Sequence, residues 1–180
     1  MIVKESQFPL VSICIPTFNG QAYLAQAMTS AISQTYSSLE IVISDDASKD
    51  DTLIIVESFM AKTPIPIRIY PHEPKGIGAI WNHCVQKAKG EYVKFLFQDD
   101  VLATDCITRM VAMAEAHPKV GLVYSKRKFL YEVLTPKLED FMSYYSDLHR
   151  YWADVEVSEG VLSGQTYLKD RQFMNSPKNK

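Results

Sequence analysis

Acidic residues stand in adjacent pairs after two apolar segments, and each pair is a candidate for chemistry. Asp45 and Asp46 follow one apolar run, and Asp99 and Asp100 follow another, Phe95–Phe97, with one residue between. Two carboxylates about 5 Å apart repel by roughly 3 kcal/mol at an effective dielectric constant near 20. Mg²⁺ or Mn²⁺ offsets that repulsion, because these ions take one or two protein carboxylates together with phosphate oxygens. The second pair therefore predicts a metal site at which a diphosphate is bridged.

Asp99 and Asp100 can also form a solvated turn, with Thr104 or Asp105 capping the helix that follows. For an Asp–Asp pair seen alone, this structural interpretation is the better one. The apolar run before the pair and the acids after another strand favour the metal site, because the carboxyl ends of parallel strands meet at one edge of a sheet.

The loop after the second apolar segment combines structural and chemical signals. Ser48 and Asp51 have the spacing of a capping box, which predicts that Ser48 opens a helix. Capping does not explain the acids before Ser48, so Asp46 is predicted to accept a hydrogen bond from a base N–H or a ribose hydroxyl.

Asn19, which follows the first apolar segment, is either the N-cap of the first helix or a ligand contact. Phe18 is either a core residue or a face on which a nucleobase stacks.

Two glycines precede the third predicted helix, in Lys75–Gly78. They resemble half of a dinucleotide-binding fingerprint, but Trp81 stands at the third glycine position, so that interpretation fails. A close approach of the backbone to a ligand, centred on Gly76, stays open. No Ser-His-Asp or Cys-His constellation is apparent among the scattered histidines, which are His72, His83, His117 and His149.

Alternating strand and helix patterns position these residues. Strands are predicted at Leu10–Ile15 (ended by Pro16), Leu39–Ser44, Ile67–Tyr70, Tyr92–Phe97 and Val120–Tyr124, and a further one at Phe129–Leu134. Helices follow from apolar residues at i, i+3, i+4 and i+7 spacing, with these inward-facing members: Leu24, Ala27, Met28, Ala31; Leu53, Val56, Met60; Ile77, Ile80, Trp81, Cys84, Val85, Ala88; Ile107, Met110, Val111 and Ala114. Gly90 is predicted to end the third of these helices, and Phe141–Leu148 predicts a later helix.

Strand-helix-strand repetition implies right-handed crossovers and a mostly parallel, twisted sheet with helices on both faces. Such sheets bind ligands beyond the carboxyl ends of their strands. We divide the chain into residues 1–130, the domain whose strand ends are expected to bind a ligand, and residues 131–180, where the strand-helix pattern is weaker.

Composition narrows the function classes. The 180 residues are 47% hydrophobic and 22% charged, with a net charge of −2, so nucleic acid is not expected as a partner. No segment has the length of a membrane span or of a signal peptide. The three separated cysteines predict reduced core residues and a cytoplasmic protein, with peripheral contact at the inner membrane face as an alternative location.

The ordered motifs resemble glycosyltransferase family 2, whose fold is the α/β GT-A fold of nucleotide-diphospho-sugar transferases. The resemblance covers roughly residues 9 to 130 and is highly specific as an ordered set. The segments that carry it are Val11–Asn19, Glu40–Ser48, Gly76–Asn82, Gly90–Val93 and Phe97–Asp100. It implies an inverting transferase that uses a UDP-, GDP- or dTDP-linked sugar with Mg²⁺ or Mn²⁺ and a hydroxyl acceptor such as a glycan.

The nucleotide-sugar site implied by the resemblance consists of Pro16, Thr17, Phe18, Asn19, Asp46, Gly76, Asn82 and Asp99. The first three residues of this set line the base pocket, Asp46 binds the base or the ribose, and Asp99 lies near the ribose or the sugar. Asp100 is the metal ligand, with Asp99 beside it.

The chain departs from the family pattern in two places. Ala47 stands where the family usually has Gly or Asn, which constrains that loop. The carboxylate that deprotonates the acceptor usually lies further along than this sequence reaches, and Glu156 and Glu159, the nearest acids, lack a supporting context. The catalytic base is therefore left unassigned.

Three functions stay open on the sequence alone. The first is metal-dependent sugar transfer to a hydroxyl acceptor, and the second is a truncated or degenerate transferase that binds nucleotide sugar without transfer. A nucleotidyltransferase would need a basic, glycine-rich triphosphate loop, which Pro16–Gly20 is not. A homo-oligomer is compatible with the sequence.

Overall fold

A computed structural model describes residues 8–125, 128, 130–131 and 133–145. The strands are β1 (Val11–Thr17), β2 (Leu39–Asp45), β3 (Ile67–Pro71) and β4 (Tyr92–Phe95). The helices are α1 (Leu24–Ile32), α2 (Thr52–Met60), α3 (Ile77–Lys87), α4 (Cys106–Ala116) and α5 (Pro136–Tyr145). Every strand and helix predicted up to residue 116 is present, and β4 is two residues shorter than predicted.

The four strands form one sheet in the order β3-β2-β1-β4, and every neighbouring pair is parallel. The chain steps outward from β1 through β2 to β3, and α3 then carries it back to β4 on the other side of β1. The strand order therefore reverses between β1 and β4, which is the kind of position where open parallel sheets bind ligands.

Helices cover both faces of the central strands, as predicted. On one face, Ile13 and Ile41 belong to a core shared with α1, α2 and α4. On the other face, Cys14 and Val42 pack against Cys84 of α3. All residues of β1 and β2 are buried, which accounts for their nearly continuous apolar sequence.

β1 continues past Pro16, although we predicted that this residue would end the strand. Cys14 directs its carbonyl toward the β4 side, where it accepts the N–H of Leu96 at 3.0 Å. Backbone groups two residues apart in a strand point to the same side, so the proline nitrogen also faces the β4 side. Pairing between β1 and β4 runs from Val11 to Cys14. The proline therefore lies beyond that pairing and breaks no bond of the sheet.

The buried apolar stripes of α2 and α3 are narrower than predicted, whereas that of α1 is as predicted. The predicted inward residues of α1 are all buried. In α2, Val56 is buried but Phe59 takes the place predicted for Met60, which is about half exposed. In α3, only Ile80 and Cys84 of the predicted stripe are buried. Because α3 lies against β1 and β2, one narrow face meets the sheet and the other apolar residues stay outside it.

Residues 120–124 form no strand in the part of the chain described here, so that prediction is wrong. Leu122 and Tyr124 are 73% and 55% exposed. A strand needs a neighbour that bonds its backbone groups, and apolar composition does not supply one. Residues 130, 131, 133 and 134 also form no strand, and the rest of the predicted segment Phe129–Leu134 lies outside the described residues. The helix predicted from Phe141 is confirmed as α5 up to residue 145.

Gly90 is required by the sheet, and the prediction that it caps α3 is wrong. The backbone after α3 becomes extended at Ala88, with φ −62° and ψ 138°. A Cβ atom at Gly90 would lie 2.6 Å from the backbone nitrogen of Ser12 and 2.7 Å from the carbonyl oxygen of Leu10. The Gly90 N–H also donates to Ser12 Oγ at 2.8 Å. Glycine therefore permits the chain entering β4 to lie against β1.

The chain divides into two compact units, Met1–Met113 and Ala114–Lys180. The sheet and α1 to α3 belong to the first unit, and our boundary at residue 130 stays a prediction. All three cysteines are free, with Cys14 and Cys84 buried, in agreement with their predicted core role. Among the described residues, no helix combines the length and apolar character needed to cross a membrane.

Candidate functional site

The carboxyl ends of the strands bring the predicted site residues to one edge of the sheet. Thr17, Asp45 and Pro71 occupy the same level in the register of β1, β2 and β3. β4 ends opposite Cys14, so residues 96–100 continue beside the end of β1. The convergence predicted from the sequence is thus present, with its centre at the switch point between β1 and β4.

Gln98 joins the ends of β1 and β4 through its side chain. Its Oε1 accepts the Phe18 N–H at 2.9 Å, and its Nε2 donates to the Phe18 carbonyl at 3.1 Å. A Cβ atom at Gly20 would lie 2.4 Å from Gln98 Oε1, so a glycine there makes room for the amide. The Phe18 ring is 53% exposed. This exposure excludes the core role considered for Phe18 and leaves its ring available to a ligand.

Asp45 and Asp46 are adjacent but perform different tasks. Asp45 is 1% exposed, and its carboxylate accepts hydrogen bonds from Thr17 Oγ1 at 2.8 Å, Ser48 Oγ at 2.6 Å and Ser48 N–H at 2.9 Å. Because Thr17 at the end of β1 and Ser48 in the loop after β2 supply these three donors, the Asp45 carboxylate is engaged within the protein. Ser48 is occupied by this contact, and Asp51 stands as N-cap without a side-chain hydrogen bond, so the predicted capping box does not form.

Asp46 lies in the loop that follows β2, at the same edge of the sheet. Its N–H donates to the Thr17 carbonyl at 2.9 Å, and its Oδ1 lies 3.1 Å from His72 Nδ1, with both side chains 15% exposed. The next residue, Ala47, has φ +60°. This left-handed conformation favours Gly or Asn, the residues expected at this position from the family resemblance, and costs alanine about 1–2 kcal/mol.

Asn19 is neither the N-cap of α1, which is Tyr23, nor a free side chain. It has φ +46°, its N–H donates to Ser48 Oγ at 2.9 Å, and its Oδ1 accepts the Lys49 N–H at 2.8 Å. Asn19 therefore ties the loop after β1 to the loop after β2. Pro16 and Thr17, which precede it, are both buried, so their contribution to a base pocket is limited to its floor.

Two of the histidines that we considered scattered, His72 and His83, lie next to each other, and His72 contacts Asp46. The rings of His72 and His83 lie 4.7 Å apart between centroids, and His83 Nδ1 lies 2.7 Å from Ser44 Oγ. Burial lowers the pKa of His83 below 6.5, and His72 and Lys87 lower it further, so His83 is neutral at pH 7. The sequence signal that could have found this cluster is weak: one histidine directly follows β3 and the other faces the sheet from α3.

Asp99 and Asp100 are both exposed and form part of a turn closed by the Asp100 N–H, which donates to the Phe97 carbonyl at 3.0 Å. In the described residues, no group of three His, Cys, Asp or Glu side chains could hold a metal ion. Two exposed carboxylates nevertheless fit Mg²⁺ or Mn²⁺, because such ions keep waters and phosphate oxygens as their other ligands.

Within the described residues, Gly76 and Asn82 make no hydrogen bond to the other predicted site residues. Gly76 precedes α3 with φ +89°, and an added Cβ atom would meet nothing within 4 Å. Asn82 is exposed on α3, and within the described residues it makes no hydrogen bond to the strand ends. Trp81 packs on Phe97 with ring centroids 5.1 Å apart, and this contact joins α3 to the segment leading to the acidic turn. Glu156 and Glu159 lie outside the described residues.

The chain is similar to known glycosyltransferases. The family model for "Glycosyl transferase family 2" matches residues 12–169. The chondroitin synthase of Escherichia coli is 40% identical over 99 residues, which are 55% of this chain and 14% of that protein. The chain spans between 14% and 41% of the length of eight curated relatives.

Two solved structures share the fold. TarS (residues 1-349) of S. aureus, determined in complex with UDP, matches with a TM-score of 0.57 and 28% identity, over 61% of this chain and 33% of that chain. The mannosyltransferase PcManGT of Pyrobaculum calidifontis, determined with GDP-Man and Mn²⁺, matches with a TM-score of 0.60 and 26% identity, over 64% of this chain and 35% of that one. The predicted GT-A fold is confirmed, and the chain belongs to glycosyl transferase family 2.

Proposed function

We propose that this chain forms the donor-binding part of an inverting, metal-dependent glycosyltransferase. The observation that carries the proposal is that the exposed Phe18 ring, the Asp46 carboxylate and the Asp99–Asp100 turn follow three neighbouring strands at one edge of the sheet. An aromatic face, a hydrogen-bond acceptor and paired acids suit the base, the ribose and the diphosphate of a nucleotide sugar.

The base and ribose are assigned to the side of the site near β1 and β2. Phe18 offers a face for stacking, above the buried Pro16 and Thr17. Asp46 accepts a hydrogen bond from the base or the ribose. Asn19 contributes by holding the loop, since its side-chain oxygen already accepts the Lys49 N–H. Asp99 is assigned to the ribose or the sugar.

The diphosphate is assigned to the acidic turn, where Asp100 would hold the metal ion with Asp99 beside it. A bound Mg²⁺ or Mn²⁺ would supply positive charge that offsets the charge of the leaving diphosphate. Gly76, at the N-terminal end of α3, offers an open backbone that could approach the donor. Asn82, exposed on the same helix, is a second contact proposed there.

Inversion requires an acceptor hydroxyl to attack the anomeric carbon while a carboxylate takes its proton. We assign that base to no described residue. The acceptor, a glycan or another hydroxyl compound, is also left open. The donor is linked to UDP, GDP or dTDP, and PcManGT was determined with GDP-Man and Mn²⁺. A cytoplasmic location, peripheral contact at the inner membrane face and a homo-oligomer remain predictions.

A calorimetric titration with UDP, GDP and dTDP, each with and without Mn²⁺, tests the donor site. We expect at least one nucleotide to bind about tenfold more tightly with Mn²⁺, and Asp100→Asn to abolish that enhancement. Asp105→Asn is the matched control, because Asp105 is also an exposed acid whose only charged partner among the described residues is Arg109, at 3.8 Å. The assignment is wrong if no nucleotide binds more tightly with metal.

Binding without transfer is the second candidate. It is favoured because no catalytic base is assigned among the described residues. Donor hydrolysis or transfer by this chain alone, measured by release of the nucleoside diphosphate, would exclude this candidate, and loss of that release in Glu156→Gln or Glu159→Gln would identify the base.

A further inference from the structure

We propose that His72, supported by His83 and Ser44, is a positioning residue that holds Asp46 as a hydrogen-bond acceptor and thereby selects bases with a ring N–H over cytosine. Uracil, thymine and guanine each carry such a donor, whereas the corresponding ring nitrogen of cytosine is an acceptor. The inference rests on the proposed nucleotide site and adds the residues that determine its selectivity.

The backbone around Asp46 is held on both sides. The Asp46 N–H donates to the Thr17 carbonyl at 2.9 Å, and the His72 N–H donates to the Asp45 carbonyl at 2.7 Å. The loop after β2 and the first residue after β3 are therefore joined at the level where the two strands end. A side-chain contact between Asp46 and His72 thus needs no rearrangement of the main chain.

The contact with His72 fixes the orientation of the Asp46 carboxylate. Asp46 Oδ1 lies 3.1 Å from His72 Nδ1, and within the described residues His72 is the only hydrogen-bond partner of this carboxylate. With the Nδ1 proton of His72 directed at Oδ1, Oδ2 makes no hydrogen bond within the described residues, and the Asp46 side chain as a whole is 15% exposed. A ligand N–H can then donate to Oδ2, while a ring acceptor placed there meets a negative charge.

The His72 ring is itself held in place. It packs on His83 with centroids 4.7 Å apart and planes inclined by 39°, and His83 Nδ1 lies 2.7 Å from Ser44 Oγ. Tyr70 meets His83 edge-on at 6.3 Å. Because His83 is neutral at pH 7, it places no positive charge beside Asp46.

The charged and titratable groups around His72 come from three elements. Asp46 is on the loop after β2, where the Asp45 carboxylate is turned to Thr17 and Ser48. Tyr70 is on β3, and α3 contributes His83 together with Lys87, whose Nζ lies 5.3 Å from the Tyr70 ring centroid.

The ratio of the dissociation constants of CDP and UDP is the appropriate readout, because both ligands carry the same diphosphate and bind the same metal. We expect the wild-type chain to prefer UDP about tenfold in the presence of Mn²⁺, since the ring nitrogen of cytosine and the Asp46 carboxylate are both acceptors and leave each other without a partner. His72→Phe keeps an aromatic ring against His83 but removes the donor, and its ratio should fall close to one. His72→Asn restores an N–H donor and should recover most of the preference.

Glu73→Gln is the matched control, an exposed residue in the same loop, and it should leave the ratio unchanged. In the wild-type protein, the NMR signal of His72 should move on addition of UDP and stay in place on addition of inorganic pyrophosphate.

The outcomes separate this inference from the proposal on which it rests. If UDP binds but the wild-type chain shows no preference over CDP, or His72→Phe keeps the wild-type ratio, the role of His72 is wrong and the donor site stands. The same conclusion follows if UDP leaves the His72 signal in place, a measurement that needs no variant to fold. If the wild-type chain binds neither UDP nor CDP, the inference about His72 is wrong, and the donor site fails with it only if GDP and dTDP do not bind either.

Discussion

Asp45→Asn tests whether the two adjacent acids really divide into a structural and a functional residue. Asp45 is buried, and its carboxylate joins three donors from the loops that follow β1 and β2. Asparagine has nearly the same shape but replaces one acceptor oxygen with an amide that donates. At least one of the three donors then faces another donor and loses its partner.

The size of the effect follows from these contacts. A hydrogen bond to a charged group contributes about 1.5–3 kcal/mol, and a buried donor left without a partner costs about 1–3 kcal/mol. We therefore expect Asp45→Asn to lower the free energy of unfolding by about 3 kcal/mol. For a chain of this size, such a loss corresponds to a decrease in Tm of roughly 10 °C.

Urea denaturation followed by circular dichroism measures the loss, and Asp46→Asn is the matched control. Asp46 has one hydrogen-bond partner among the described residues, which an amide can retain, so its replacement should cost below about 1 kcal/mol while weakening nucleotide binding. A loss below about 0.5 kcal/mol for Asp45→Asn, or an equal loss for both variants, would refute the division of tasks.

Two further predictions concern contacts away from the acidic turn. Burial alone would raise the pKa of Glu40, but hydrogen bonds from Ser12, the Lys89 N–H and Arg68 hold the pKa below 4.5. The stability that Glu40 contributes is thus fully present above pH 4.5 and is lost as the pH falls through its lowered pKa. At pH 7, Glu40→Gln should lower the free energy of unfolding by about 2–3 kcal/mol. In urea titrations, this difference from the wild type should shrink as the pH falls through that interval. Gly90→Ala should cost about 3 kcal/mol because its Cβ atom would overlap the backbone of β1. Gly78→Ala, which meets nothing within 4 Å in α3, should be neutral or stabilising by up to about 1 kcal/mol; equal melting temperatures for the two alanine variants would contradict the account of Gly90.

Much of the fold could be predicted because its signals are local. Continuous apolar runs predict strands buried on both faces, and helical spacing between them predicts crossovers and a parallel sheet. From that topology alone, residues after β1, β2 and β4 must share one edge, as Phe18, Asp46 and Asp99 do. The strand predicted at Val120–Tyr124 failed for the complementary reason, since pairing depends on a partner that a local pattern does not contain.

The tasks of individual residues within that edge were decided by the tertiary structure. The sequence presents Asp45 and Asp46 as equivalent neighbours. In the fold, Asp45 ends β2 and accepts three buried hydrogen bonds, whereas Asp46 lies in the loop beyond the strand and contacts His72. His72 and His83 are eleven residues apart along the chain and meet only because β3 and α3 bring their rings to 4.7 Å. The sequence by itself determined the sheet and the edge at which its polar residues gather. Which of those residues hold the structure and which face a ligand depends on contacts between distant segments, and these exist only once the chain has folded.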